Sequence, residues 1–127
     1  MPLVKVFYTL PKDIDFNKVV GKGITDVLST LKLCEYDPAR IFFMALNTDH
    51  SSCGGIMLKQ QIENVTLETS SYYVEVNLAS GSTVEQRRAI CSKVTDIIAA
   101  CGIPIKNIRV IVFEYPAGVY VVGGVPV

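Results

Sequence analysis

The sequence predicts an α+β fold of two consecutive β-α-β units, which together form a four-stranded mixed sheet with two helices on one face. Two observations carry this. The first is a pattern that occurs twice. A β-forming stretch, a helix with apolar residues at helical spacing, a second apolar strand and a Gly-Gly turn fill the first half, and recur about 70 residues later. The second is composition. Half of the 127 residues are hydrophobic, and mean hydropathy is +0.37. Two helices cover one face of such a sheet and leave the other apolar and bare. Packing three sheets around a common axis covers that face, so a homotrimer is expected.

The first half opens on "MPLVKVFYTL". Leu3, Val4, Val6, Phe7 and Tyr8 are strand formers with Lys5 among them, so residues 3–9 read as a strand with Pro2 at the sheet's edge. In "DFNKVVGKGITDVLSTL", Phe16, Val20, Ile24, Val27 and Leu31 fall near helical spacing, with Asp13 or Asp15 as cap. Gly21 and Gly23 each cost this helix about 1 kcal/mol, which points to close packing on the sheet. "RIFFMALN" is apolar throughout, as in a buried central strand, and "SSCGG" closes the half.

The second half repeats the course. "YYVEVNLA" alternates as a strand. Thr83 and Gln86 make a capping box for the helix "TVEQRRAICSKVTDIIAAC", in which Ile90, Val94, Ile97, Ile98 and Cys101 form one stripe before Gly102 stops it. "NIRVIVFE" is a further strand, and "AGVYVVGG" a short hairpin. The whole, residues 1–127, reads as one domain with halves 1–55 and 72–127 and a connector 56–71, in which "IENVTLE" suggests an extra edge strand.

Composition excludes several classes. Twelve basic residues balance twelve acidic ones with no basic run, so nucleic acid is not an expected partner. Glu114, Pro116, Gly118 and Gly123 interrupt the most apolar region, so no membrane span is expected. No basic segment precedes an apolar leader, which points to a cytoplasmic protein. Cys34, Cys53, Cys91 and Cys101 form no C-x-x-C pair and read as plain thiols, and His50 reads as a solvated loop residue. No metal site is expected from them.

The Met-Pro start together with "P-x-x-x-I-R-V" at residues 104–110 and "G-x-Y-x-x-G-G" at 118–124 resembles the tautomerase superfamily, which includes 4-oxalocrotonate tautomerase, macrophage migration inhibitory factor and cis-3-chloroacrylic acid dehalogenase. The resemblance covers nearly the whole chain and is closest in the second half. It implies that Pro2, freed by removal of Met1, is a general base. It implies that Arg109 binds a substrate carboxylate and that Tyr120 walls the pocket. Counting without gaps from Pro2 puts Lys12 at the family's second arginine, keeping the charge but not the bidentate fork. Tyr72 stands where the second half would carry a proline, Ser82 where it would match Lys12, and Phe42 lies near the first-half position of Arg109. Such complementary loss fits a fused duplicate with one complete set of groups per chain.

"LASGST" lacks the arginines that precede the second helix in the related dehalogenase and decarboxylase. Ala39 stands where the decarboxylase has an aspartate, and Tyr36 lies nearest the position of the migration inhibitory factor's pocket lysine. The resemblance therefore implies a cofactor-independent tautomerase or isomerase moving a proton in a small 2-oxo or enol carboxylate. The alternatives are a non-catalytic binding or signalling module, and a hydratase or dehalogenase-type activity on an unsaturated acid.

The chemistry needs a base poised near neutrality. Burial and neighbouring cations both disfavour a protonated amine. Phe7, Tyr8, Phe42, Tyr115 and Tyr120 are candidates for the apolar wall, and Lys12 and Arg109 for the positive field. Each residue also has a plainer reading. Pro2 can blunt an edge strand, Lys12 can be a solvated turn residue, Tyr120 can simply pack the hairpin, and Arg109 can be ion-paired to Glu75 or Glu114.

Overall fold

A computed structural model describes residues 2–9, 14–33, 39–47, 51–61, 66 and 68–126. The elements run β1 (Leu3–Tyr8), α1 (Ile14–Thr30), β2 (Arg40–Ala45), β3 (Ser52–Cys53), β4 (Ile56–Met57), α2 (Leu58–Gln61), β5 (Tyr72–Ala79), α3 (Val84–Ala99), β6 (Ile108–Tyr115), β7 (Val121–Val122) and β8 (Val125–Pro126). The main sheet has the order β2-β1-β5-β6. β1 pairs parallel with β2, and β5 parallel with β6, as β-α-β crossovers require. The two units meet where β1 and β5 run antiparallel.

Strand alternation decides which side chains enter the core. Val4, Val6 and Tyr8 of β1, with Tyr72, Val74, Val76 and Leu78 of β5, are buried against the two long helices. α1 contributes Val20, Ile24 and Leu28, and α3 contributes Ile90, Val94 and Ile98. α3 starts on the expected capping box: Gln86 N–H donates to Thr83 Oγ1 at 3.0 Å, and Thr83 N–H donates to Gln86 Oε1 at 2.8 Å. Of the two acidic caps expected for α1, Asp15 lies inside the helix, and Asp13 falls outside the described residues.

The two halves end alike. β3 and β4 pair around Gly54 and Gly55, and β7 and β8 around Gly123 and Gly124, all four glycines with positive φ. Two consecutive left-handed residues close a two-residue hairpin without splaying its strands, which is why glycine fills both places. The first hairpin runs to Met57 and is followed by α2, so structure continues into the stretch read as connector. Residues 62–65 and 67 of the suggested "IENVTLE" strand lie outside the described residues.

Two positional expectations change. "RIFFMA" is an edge strand rather than a central one, because β2 and β6 flank the central pair. Its unbroken apolarity comes from two demands: Ile41 and Phe43 pack on the core, while Phe42 on the other face is 54 % exposed. β1, conversely, is central, so Pro2 stands at the end of an inner strand and not on the sheet's lateral edge. On the face away from the helices, Phe42, Ile111 and Phe113 remain exposed in the single chain, as do Val121, Val122 and Val125 of the last hairpin. No described helix is long and apolar enough to cross a membrane.

The α1 glycines have distinct roles. A Cβ on Gly23 would stand 2.9 Å from Ile97 Cδ1 and 3.0 Å from its Cγ2, so Gly23 permits close approach to α3 rather than to the sheet. A Cβ on Gly21 would meet Phe43 at an ordinary 3.5 Å. Gly21→Ala is therefore expected to stabilise the fold by up to about 1 kcal/mol through helix propensity. Gly23→Ala is expected to destabilise it by about 1–2 kcal/mol through overpacking. Denaturant unfolding of the two variants checks the opposite signs.

Candidate functional site

Pro2 is buried and lines a cavity of about 290 Å³. Its backbone carbonyl accepts from Arg40 N–H at 3.0 Å, and the next carbonyl, of Leu3, accepts from Asn77 Nδ2 at 3.1 Å. Pro2 is thus anchored from both flanking strands. Leu78 and Ala79 of β5 form the adjoining wall.

The end of α1 forms a second wall with Lys32 and Leu33. Leu33 N–H donates to Leu28 O at 2.9 Å and Lys32 N–H to Ser29 O at 3.0 Å, the pairing of a Schellman cap. Lys32 occupies the left-handed position that glycine usually fills, with φ 60°, and is the one non-glycine residue with positive φ among the described residues. Holding a residue with a Cβ there is unfavourable by about 1–2 kcal/mol, because the Cβ crowds the following carbonyl oxygen. Gln86 ties this wall to α3, since its Nε2 donates to Leu31 O at 3.0 Å.

The third wall is the β5–α3 loop, where Ser80, Gly81 and Ser82 face the cavity. Ser80 N–H donates to Tyr115 O at 3.0 Å. Glu114 Oε2 accepts from Gly81 N–H at 2.8 Å and Ser82 N–H at 3.4 Å. Arg87 Nη1 donates to Glu114 Oε1 at 2.7 Å, to Ser82 O at 2.6 Å and to Ser82 Oγ at 3.0 Å. The Gly81 N–H bond, then those of Ser82 and the Arg87 charge, hold the Glu114 carboxyl below its ordinary pKa. A depressed carboxyl keeps its partners until pH falls through the lowered value, so this arrangement outlasts an ordinary glutamate in acid.

Arg109 lies elsewhere. It pairs with Tyr73, whereas Leu3, next to Pro2, pairs with Asn77 four residues further along β5; at a strand rise of about 3.3 Å that is roughly 13 Å of separation along the sheet. Arg109 lines a different cavity of about 350 Å³ with Ser71, Thr69, Asn107, Gln61 and Cys53. It is exposed, because β6 buries only one face, and among the described residues no carboxylate pairs with it. Glu114, one of its two expected partners, is taken by Arg87. Glu75, the other, stands beside Lys5 and Ile111 in the register.

Tyr120 stacks on Tyr115 with ring centroids 5.3 Å apart and planes at 21°. Tyr115 pairs with Ala79, so this aromatic pair stands at the Pro2 end of the sheet. Burial, then the neighbouring Tyr120, raises the Tyr115 phenol pKa. Lys12 falls outside the described residues. One chain therefore brings Tyr120 to the same end as Pro2 and holds Arg109 apart from both.

Two residues were not singled out from sequence. Lys32 is the first: a lysine does line the Pro2 cavity, whereas by sequence Tyr36 lies nearest the position of the migration inhibitory factor's pocket lysine. Its signal was "STLKL", a helix end with no glycine to close it. Arg40 is the second. Pro2 and Tyr72 open the two halves, and Leu3 pairs with Arg40 as Tyr73 pairs with Arg109. Arg40, not Phe42, is thus the first-half counterpart of Arg109, and both halves keep an arginine at this register. Only the strand pairing reveals it.

Chemically, the Pro2 cavity combines a buried end of strand with a cation and a ring of backbone groups. A carboxylate can be attracted there, and an amine at Pro2 would have its protonated form disfavoured. Residues 73–127 match the family model described as Tautomerase enzyme. No curated protein matches the chain. Among solved structures, it is similar to a native fused 4-OT at 20% identity and TM-score 0.80, over 98% of this chain and 94% of that one. It is similar to the fused 4-OT called F6, an asymmetric trimer, at 18% identity and TM-score 0.78, with the same coverage. It is also similar to N1, of the cis-3-chloroacrylic acid dehalogenase family, at 16% identity and TM-score 0.78, over 98% of this chain and 82% of that one.

Proposed function

We propose that the chain is a fused two-unit member of the tautomerase superfamily and a cofactor-independent tautomerase or isomerase, a reading supported by its fold and by the family match of its second half. Its substrate is a small 2-oxo or enol carboxylate, and Pro2, after loss of Met1, is the general base. The observation that carries this reading is Pro2 itself, buried at the wall of a cavity that Lys32 also lines. Burial and the lysine charge both lower the pKa of a secondary amine toward neutrality. The same charge stabilises the enolate formed when Pro2 removes a proton next to the oxo group.

The working unit is a homotrimer. The exposed Phe42, Ile111 and Phe113 favour burial between sheets, and a fused 4-OT of this fold is a trimer. Within it, Arg109 of one copy reaches the Pro2 cavity of another and binds the substrate carboxylate, because the two stand apart in a single chain. Tyr120 supplies an aromatic wall, and Lys12, on the family resemblance alone, is a further candidate for binding the substrate.

Lys32 binds the substrate at the expense of backbone strain. Lys32→Gly is therefore expected to raise stability by about 1 kcal/mol by relieving the left-handed backbone, while raising KM for a carboxylate substrate several-fold. Unfolding and steady-state kinetics on that one variant check both signs.

The test of the reading is an assay of the purified protein against phenylenolpyruvate and 2-hydroxymuconate, with the N-terminal mass measured in parallel. Turnover with Met1 removed supports it. Met1 retained and no turnover favours the second reading, a binding module on the same scaffold.

A further inference from the structure

We infer that Glu114 and Arg87 are positioning residues of the proline site, whose ion pair holds the Ser80–Ser82 loop in place as a wall of the Pro2 cavity. The inference rests on the proposed role of Pro2 and extends it to two residues that do not line the cavity.

The geometry is that of a clasp. Glu114 Oε2 takes the N–H groups of Gly81 and Ser82, while Glu114 Oε1 takes Arg87 Nη1, which also donates to the carbonyl and hydroxyl of Ser82. Four bonds thus join the two charged side chains to two loop residues, and a fifth joins the side chains to each other. Gly81 has φ 110°, and nothing lies within 4 Å of where its Cβ would stand, so no side-chain packing fixes the loop there. The side chains of Arg87 and Glu114 are 32% and 27% exposed. A pair so open to water adds little to global stability, which leaves loop order as its main consequence. The loop's inner side, with Leu78, Ala79 and Pro2, bounds the space where the amine is desolvated. Releasing it admits water, and water restores the protonated amine.

Glu114→Gln and Arg87→Gln break the same clasp with opposite changes of charge. The experiment is a titration of the Pro2 nitrogen by ¹⁵N NMR in proline-labelled protein, for wild type and both variants. Wild-type Pro2 titrating like a free prolyl amine defeats the base reading itself, before the variants are considered. If its midpoint is depressed, the clasp predicts that both variants raise it by about half a unit or more, toward the solvated value, and lower kcat/KM by about tenfold. Direct action of charge on the amine moves the two midpoints in opposite directions: down for Glu114→Gln and up for Arg87→Gln. Opposite shifts, or no shift in either variant, overturn the inference.

Discussion

Pro2→Ala is expected to lower turnover by about 10–10³-fold while the fold and the assembly survive. General base catalysis contributes about 10²–10⁴-fold, and the primary amine of an N-terminal alanine keeps part of it. The loss falls on kcat, because Lys32 and the loop walls still receive the substrate. Pro2 donates no backbone N–H in the intact chain, and its carbonyl bond to Arg40 N–H is retained by alanine. Unchanged turnover in a variant whose N-terminal mass shows methionine removed would take Pro2 out of the mechanism.

Arg109→Ala is expected to lower kcat/KM by roughly 10–200-fold, the equivalent of a charge-assisted hydrogen bond of about 1.5–3 kcal/mol. Stability should stay within about 0.5 kcal/mol, as for an exposed side chain without special contacts. Had Arg109 been half of a buried ion pair, its removal would have cost about 3–5 kcal/mol. The structure separates the two cases, since Arg109 is exposed and Glu114 belongs to Arg87. Thermal unfolding and kinetics on one preparation measure both quantities. A large fall in melting temperature with normal kinetics would return Arg109 to a structural role.

The fold was legible where local signals agree. The capping box at Thr83, the stripe of Ile90, Val94 and Ile98, and the paired Gly-Gly turns are short-range patterns, and each appears where the sequence puts it. What sequence could not show is lateral order. An edge strand with one face on the core and the other on a bare surface has the same apolar run as a buried central strand, so "RIFFMA" was misplaced. Phe42 lies near the position of Arg109 by sequence, and nothing local fixes how the second strands of the two halves correspond. Register, a property of the paired strands, restores Arg40.

The candidate site divides the same way. Pro2 and Arg109 stand out by residue type, one as a terminal amine and the other as a charge inside an apolar strand. Their separation in one chain is a tertiary fact. Lys32 was hidden because a lysine after a helix usually reads as a solvated cap; its left-handed backbone and its place in the Pro2 cavity emerge only from the folded chain. The clasp was half visible. The sequence offers Glu114 as a partner for Arg109, but its partner in the fold stands 27 residues away on α3.

The central claim, that Pro2 of one copy works with Arg109 of another, is tested most directly by mixing. Pro2→Ala and Arg109→Ala chains, each weak alone, are unfolded together at equal amounts, refolded and assayed. In a cyclic trimer of random composition, about one site in four pairs an intact Pro2 with an intact Arg109 from its neighbour, so activity should recover to about a quarter of wild type. Mixed trimers with no more activity than the two variants measured separately would contradict a site shared between copies.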